Sequence, residues 1–334
     1  MKPLTREEVK RVIEGKGSAS RVPVAIQDWI DPEIFGSPKY PSDIQVMRIN
    51  MPQLYDAPPD DPAYRWMNCD KPEASEGTTT ALDADVCIAD WAQLDGILAA
   101  FPSANSHGIT TNGQPDDGRY RVGRWWFWLF ERLWSFRGME NALTDFYDAP
   151  DEVHRLFRAL TDFYKGVLTR CKNEMQLDAV MTSDDIGTQT GPFFSLGIFR
   201  EFFKPYYKEL IDHAHGLGMH VWMHTCGNII PFIPELIEIG LDVLHPIQKY
   251  TMDEREVAER FGGEICLWAG FDVQKIIPYG TTEDVRREVQ FMIDTYYRAD
   301  GRFILAAGNH LTADTPIESI EALLDEAYTY GARK

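Results

Sequence analysis

The chain has 334 residues, with 33 Lys and Arg against 52 Asp and Glu, a formal net charge of -19. That balance argues against sequence-independent binding to nucleic acid and against attraction to anionic membranes, both of which need a basic surface. Hydrophobic residues at 44% supply a sizeable core, while five cysteines, odd in number and without a C-x-x-C pair, predict reduced thiols in a cytoplasmic protein.

The opening stretch MKPLTREEVKRVIEG has no apolar run of the kind a secretory signal carries. Thr5 and Glu8 stand at capping-box spacing and predict a short amphipathic helix. RVPVAI (Arg21–Ile26) reads as a first strand and DADVCIAD (Asp83–Asp90) as another, whereas Tyr55–Gly77 and Pro102–Gly123 read as long loops. WWFWLF (Trp125–Phe130) is the most apolar window, but Glu131 and Arg132 follow it. It is far short of the roughly 20 residues of a membrane span, so a buried aromatic helix is expected there.

The second half is regular. Apolar, β-branched runs predict strands within Leu177–Asp185, Met219–Gly227, Leu241–Gln248, Ile265–Asp272 and Arg302–His310. Helical patterns lie between them. Ile198–Gly218 contains Pro205, which predicts a kink or break. Ile233–Gly240 ends on glycine, and Thr281–Arg298 opens on threonines suited to capping. In the last pattern, Thr315–Gly331, Thr315 is expected as cap, Pro316 as first residue and Glu318 as box partner. Strands alternating with helices imply a parallel sheet, and this spacing in a chain of this length favours a (β/α)8 TIM barrel over an open sheet. No G-x-G-x-x-G turn supports the open sheet. We read residues 1–334 as one domain.

In such a barrel, chemistry collects where strands run into their following loops. Asp184, Asp185, His224, Cys226, His245, Gln248, Asp272, Gln274, Asn309 and His310 all fall there. Singly, each has a structural explanation: aspartates cap turns, His245 stacks in the bend before Pro246, and Asp272 and Gln274 hold a loop. Together they predict one site on one rim. In WMHTCGNI, His224 and Cys226 are two residues apart and share a face of an extended chain, where imidazole nitrogen and thiolate sulfur suit zinc or a similar divalent ion. Asp185 is a further ligand or, with Asp184, a proton-handling residue. Asn228, Gln248, Asp272 and Gln274 are the candidates for contacting a small-molecule substrate.

Across SDDIGTQTGPFFSLGIFREFFKPYYKELIDHAHGLGMHVWMHTCGNI, IGLDVLHPIQ, AGFDVQKIIPYGTTEDVRREV and ILAAGNHLTADTPIESIEAL, the chain resembles the uroporphyrinogen decarboxylase superfamily. It is most similar to the branch of zinc-dependent methylcobamide methyltransferases. The resemblance covers roughly Asp178 to Leu323, with a fainter match at SRVPV. It implies a zinc site on His224 and Cys226 of the H-x-C-G segment, completed in that branch by a cysteine after the last strand. Here that segment reads Ala307-Gly308-Asn309-His310, so the third thiolate is missing and His310 is the chemically suitable replacement. The resemblance also implies methyl transfer with a corrinoid. No D-x-H-x-x-G cobalamin motif is present, so a separate corrinoid protein is the implied partner. A homo-oligomer is left open.

The true decarboxylases of the superfamily carry R-x-P-V-W-x-M-R-Q-A-G-R, whose arginines hold the substrate carboxylates. This chain keeps Arg21, Pro23 and Val24 and continues AIQDWID, without the later arginines. A substrate with eight carboxylates would meet an acidic protein lacking its clamp. The alternatives to methyl transfer are a cofactor-independent decarboxylase of a smaller carboxylated substrate, with Asp184 or Asp185 moving the proton, and a binding protein that has lost its chemistry.

Overall fold

The computed structural model describes residues 1–26, 37, 39–50, 88–99, 101–106, 108–110, 115–309, 311 and 315–333. Seven parallel strands form one sheet in which each pairs with the next along the chain. They are β1 (Ile44–Arg48), β2 (Tyr120–Arg124), β3 (Ala179–Ser183), β4 (His220–His224), β5 (Val243–His245), β6 (Cys266–Phe271) and β7 (Phe303–Ala307). The predicted first strand, Arg21–Ile26, takes the eighth position. Ala25 N–H donates to the Leu305 carbonyl at 3.0 Å and Leu305 N–H to that of Pro23 at 2.9 Å, while Asp43 N–H reaches the Val24 carbonyl at 3.4 Å. The segment thus sits between β7 and the start of β1 as a parallel bridge instead of a full strand. The result is the α/β architecture of a TIM barrel.

The principal helices are α1 (Arg6–Ile13), α2 (Phe130–Arg137), α3 (Pro150–Met175), α4 (Lys204–Gly216), α5 (Ile233–Glu238), α6 (Glu254–Phe261), α7 (Thr282–Tyr296) and α8 (Ile317–Tyr330). They cover the outside of the sheet, which is why every residue of β3, β6 and β7 is buried. The capping box on α1 forms as predicted from Thr5 and Glu8, and Thr281 with Asp284 builds another on α7. At α8 the expectation fails: Pro316 is itself the cap residue, in an extended conformation, and no side chain caps the helix. Proline's fixed φ suits that extended geometry as well as a first helical turn. Pro205 lies within a helical run continuous from 196 to 216, and the preceding Phe199–Phe203 widens into a π turn that lets the chain pass the proline without a break.

The first half departs most from expectation. β2 lies at the end of a segment read as loop, and β1 had no strand signal. Arg48, Arg121 and Arg124 interrupt the apolar runs on which strand assignment depends. Of Asp83–Asp90, residues 83–87 lie outside the described residues. Ile88–Asp90 is not a strand, and Asp90 caps a short 3-10 turn. Tyr55–Gly77 lies outside them as well. In the aromatic window only Phe130 is helical; Trp125–Leu129 form a loop with Trp125 and Trp128 buried and Trp126 exposed. Among the described residues, no helix is long and apolar enough to cross a membrane.

Candidate metal centre

Strands β3, β4 and β5 run in register, with Ser183 beside His224 and His224 beside His245. Register partners on parallel strands face the same side, so His224 and His245 meet on the inward face at the C-terminal end. Their Nδ1 atoms are 2.7 Å apart, and His245 Nε2 lies 2.8 Å from the Ala307 carbonyl oxygen. A carbonyl only accepts, so His245 carries its proton on Nε2 and its bare Nδ1 accepts from His224 Nδ1–H. His224 therefore turns an unprotonated Nε2 toward Cys226 Sγ, at 3.3 Å, and Asp185 Oδ1, at 3.7 Å.

Burial lowers the pKa of both rings, that of His245 further, with the neighbouring His224 adding to the effect. Both are neutral at pH 7, the form a metal ligand needs. An outer acceptor that fixes the tautomer of a ligating imidazole is the usual second layer of a metal site, and here that acceptor is itself an imidazole. His245→Phe is expected to weaken retention of a divalent ion by roughly 10- to 100-fold. Competition with a chelator checks this; unchanged affinity would show that His245 only packs.

Asp185, His224 and Cys226 each offer one ligand atom, and these atoms all lie within 4.8 Å of one another. Oxygen, nitrogen and sulfur donors together suit zinc and its neighbours. Two loops bring them together. Cys226 N–H donates to Asp185 Oδ1 at 2.7 Å, and Ile186 N–H donates to Thr225 Oγ1 at 3.3 Å. Glycines permit the approach. A Cβ on Gly227, whose φ is +88°, would stand 2.3 Å from the carbonyl carbon of Gly187, and one on Gly187 would stand 2.7 Å from the Cys226 carbonyl oxygen. Burial raises the Cys226 pKa, and the charges of Asp185 and Glu131 add to the rise, so without a cation the sulfur stays a thiol.

Asp184 faces away from this group. Fully buried, it accepts N–H bonds from Leu129, Phe130 and Glu131 at 2.7–3.0 Å and a 2.5 Å bond from the Tyr207 hydroxyl. It thereby caps α2 from another strand, favoured by the positive end of the helix. Burial pushes its carboxyl up to about 6, restrained by the Tyr207 hydroxyl and the three amides. The same anchoring places Glu131, whose carboxylate accepts from Ser183 Oγ at 2.5 Å, beside the triad. Burial, then Asp185 and Asp184, raises the Glu131 carboxyl well above its ordinary range.

The remaining predicted residues divide. Gln248 belongs to the centre: its Oε1 accepts the Gly227 N–H at 2.6 Å. Asn309 reaches it too, with Nδ2 3.8 Å from Cys226 Sγ. Asn228 is turned to backbone, donating to the Thr251 carbonyl in the loop after β5 and accepting from Ile230 N–H in its own. Asp272 is buried and accepts N–H bonds from Gln274, Lys275 and Ile276 plus the Tyr250 hydroxyl at 2.5 Å; the Gln274 side chain is exposed. His310 lies outside the described residues. Sequence reasoning missed Glu131 and Trp126, whose ring meets that of His224 edge-on at 5.5 Å. The available signal was an acid directly after an apolar window, where a buried helix needs a reason to carry one.

The uroporphyrinogen decarboxylase (URO-D) family model matches residues 129–330. A uroporphyrinogen decarboxylase from Xylella fastidiosa (strain Temecula1 / ATCC 700964) is 24% identical over 187 residues, 54% of this chain and 50% of that one. The chain thus spans about half the length of the curated relative it matches. Among solved structures, a methyltransferase from Methanosarcina mazei superposes with a TM-score of 0.59 at 13% identity, covering 98% of this chain and 99% of that one, a likeness of fold.

Proposed function

The chain belongs to the uroporphyrinogen decarboxylase family, and from that premise we propose that it is a metal-dependent methyltransferase working with a separate corrinoid protein. The observation that carries this reading is the convergence of Asp185, His224 and Cys226 on one point. A uroporphyrinogen decarboxylase needs no such set. Zinc or a similar divalent ion held there would supply Lewis-acid activation of a methyl donor's heteroatom, or would acidify a thiol acceptor.

The chain's own residues do the rest. His245 holds His224 in the tautomer that faces Cys226 and Asp185. Asp184 holds the Leu129 and Phe130 amides of the segment that carries Trp126, whose indole meets the His224 ring edge-on. Gln248 braces the Gly227 amide behind Cys226. Asp185, at 40% exposure, is the carboxylate with access to both ligand and solvent and is the group we assign to proton movement at the reacting heteroatom. The one family arginine that remains, Arg21, sits at the start of its segment, opposite the rim. It is spent on Asp43, through two 2.6 Å bonds. That pairing disfavours uroporphyrinogen as substrate.

Two measurements test the reading together. Elemental analysis of the purified protein is expected to find about one divalent ion per chain, as one site requires. Incubation with cob(I)alamin and methoxylated aromatics, methylamines or methylated thiols is expected to yield methylcobalamin, with uroporphyrinogen left unchanged in a parallel reaction. Absence of metal after reconstitution, or release of carbon dioxide from uroporphyrinogen without corrinoid methylation, would overturn it in favour of decarboxylation.

A further inference from the structure

The residue after Gln248 turns the other way. Gln248 reaches inward to the Gly227 amide, while Lys249 reaches outward and bonds Glu288 of α7 at 2.5 Å and Glu254, at the start of α6, at 3.2 Å. Its ammonium also lies 5.0 Å from the centroid of the Phe291 ring. Lys249, Glu254 and Glu288 keep only 16%, 11% and 5% of their side-chain surface exposed. The residues on either side of this pair are in the left-handed region, Ile247 at φ +56° and Tyr250 at φ +68°. Neither is glycine, and for a β-branched residue such as Ile247 that conformation is a true outlier. Tyr250 is tied down by its hydroxyl, which donates to Asp272 just past the end of β6.

A buried ion group of this kind adds little net stability, because taking its charges out of water offsets their attraction; what it contributes is geometry. Left-handed backbone at non-glycine positions persists only where the surroundings hold it, and such strain gathers at functional sites. Here the holding comes from Lys249 on the outside and Tyr250 at the rim, and the residue presented inward is Gln248. Its Oε1 accepts at 2.6 Å from the N–H of the peptide that joins Cys226 to Gly227. The peptide on the other side of Cys226 donates to Asp185 Oδ1 at 2.7 Å. Both planar peptides flanking the thiol are thus fixed by side-chain acceptors, and the direction of its Cα–Cβ bond is fixed with them.

We propose that Lys249 is a positioning residue of the metal centre: anchored on Glu288 and Glu254, it holds the strained loop after β5 so that Gln248 fixes the peptide behind Cys226. This rests on the metal-dependent reading of the centre and deepens it, because the aim of one ligand is then set from the outer helices α6 and α7.

The test is a double-mutant cycle on full-length protein with two readouts. One is exchange of the Gly227 amide hydrogen in the metal-free chain, followed by NMR on protein labelled at glycine. The other is zinc affinity, by competition with a chelator. Lys249→Met is expected to speed Gly227 exchange and to weaken zinc binding, each roughly 10-fold, the loss of one hydrogen bond behind a ligand. Gln248→Ala should do the same, and the double variant should lose no more than Gln248→Ala alone, because the two residues act in series. Lys249→Arg keeps the charge and should restore most of both. Glu288→Gln, which slackens the same anchor with less disruption, should show the pattern of Lys249→Met more weakly. Arg21→Met is the comparison for stability: it breaks another buried ion pair, with Asp43, at the opposite end of the barrel, and should lower the unfolding midpoint without moving either readout. Unchanged Gly227 exchange in Lys249→Met would overturn the proposal, as would faster exchange with zinc affinity intact, additive losses in the double variant, or equal losses in Arg21→Met. The expected exchange pattern in a chain that never takes up zinc would leave Lys249 holding the Cys226 peptide and sink the metal-dependent function. A zinc-loaded chain whose Gly227 amide ignores Lys249→Met would do the reverse.

Discussion

Cys226→Ala is expected to strip the chain of tightly held divalent ion, with affinity falling by more than about 100-fold, beyond what loss of a supporting residue costs. Methyl transfer should go with it. The fold should not: Cys226 is only partly buried, and its loss is a change of about 1 kcal/mol against a continuous core. Proton counting sharpens the test. The Cys226 thiol, raised by burial and by Asp185 and Glu131, must give up its proton to bind, whereas His224, lowered by burial, is already neutral at pH 7. Affinity in the native chain is therefore expected to climb about tenfold per pH unit between pH 6 and 8. In Cys226→Ala the residual affinity should lose most of that slope. A native affinity flat with pH would rule the thiol out as ligand.

Asp184→Ala is expected to produce the largest loss of stability among residues near the centre. It leaves three buried amides and the Tyr207 hydroxyl without their acceptor. Each such group costs about 1–3 kcal/mol, and partial rearrangement of the first turn of α2 brings the total to roughly 3–5 kcal/mol. In a chain this size that is a fall in Tm of roughly 5–15 °C.

Asp184→Asn keeps an acceptor oxygen and should lose less, and it isolates the titration. The folded carboxyl sits at about 6, above its ordinary 3.8, so folding favours its neutral form. The native state then binds the extra proton between these values, and this group's contribution to stability rises as pH falls from 6 toward 4. Native chain relative to Asp184→Asn should gain stability over that window. If the two unfolded in parallel across it, the carboxyl would be ionised throughout.

The centre was legible in part. His224 and Cys226 announce themselves by two-residue spacing, and the five strands of the second half by uninterrupted apolar runs. The tautomer lock was not legible, because it depends on a carbonyl 62 residues away, at Ala307, and backbone carbonyls leave no mark in a sequence. Nor was the division of labour between Asp184 and Asp185. Adjacent residues at a strand end point to opposite sides, and which side held the ligands depended on the register of β3 against β4. β1 and β2 were hidden for another reason: the charges of Arg48, Arg121 and Arg124 break the apolar runs by which strands are read.

The contact between Gly187 and Gly227 has a consequence for how such a centre changes over generations. Main chain rests on main chain there, and the spacing of the two loops is set by that backbone contact together with the bond from Cys226 N–H to Asp185 Oδ1, so it owes little to which side chain stands at 226. A frame of that kind tolerates the exchange of donors. Oxygen, nitrogen and sulfur can be traded at fixed points, and metal preference follows the donors. Lineages built on this frame can change their metal, and with it their chemistry, without first dismantling the place that holds it.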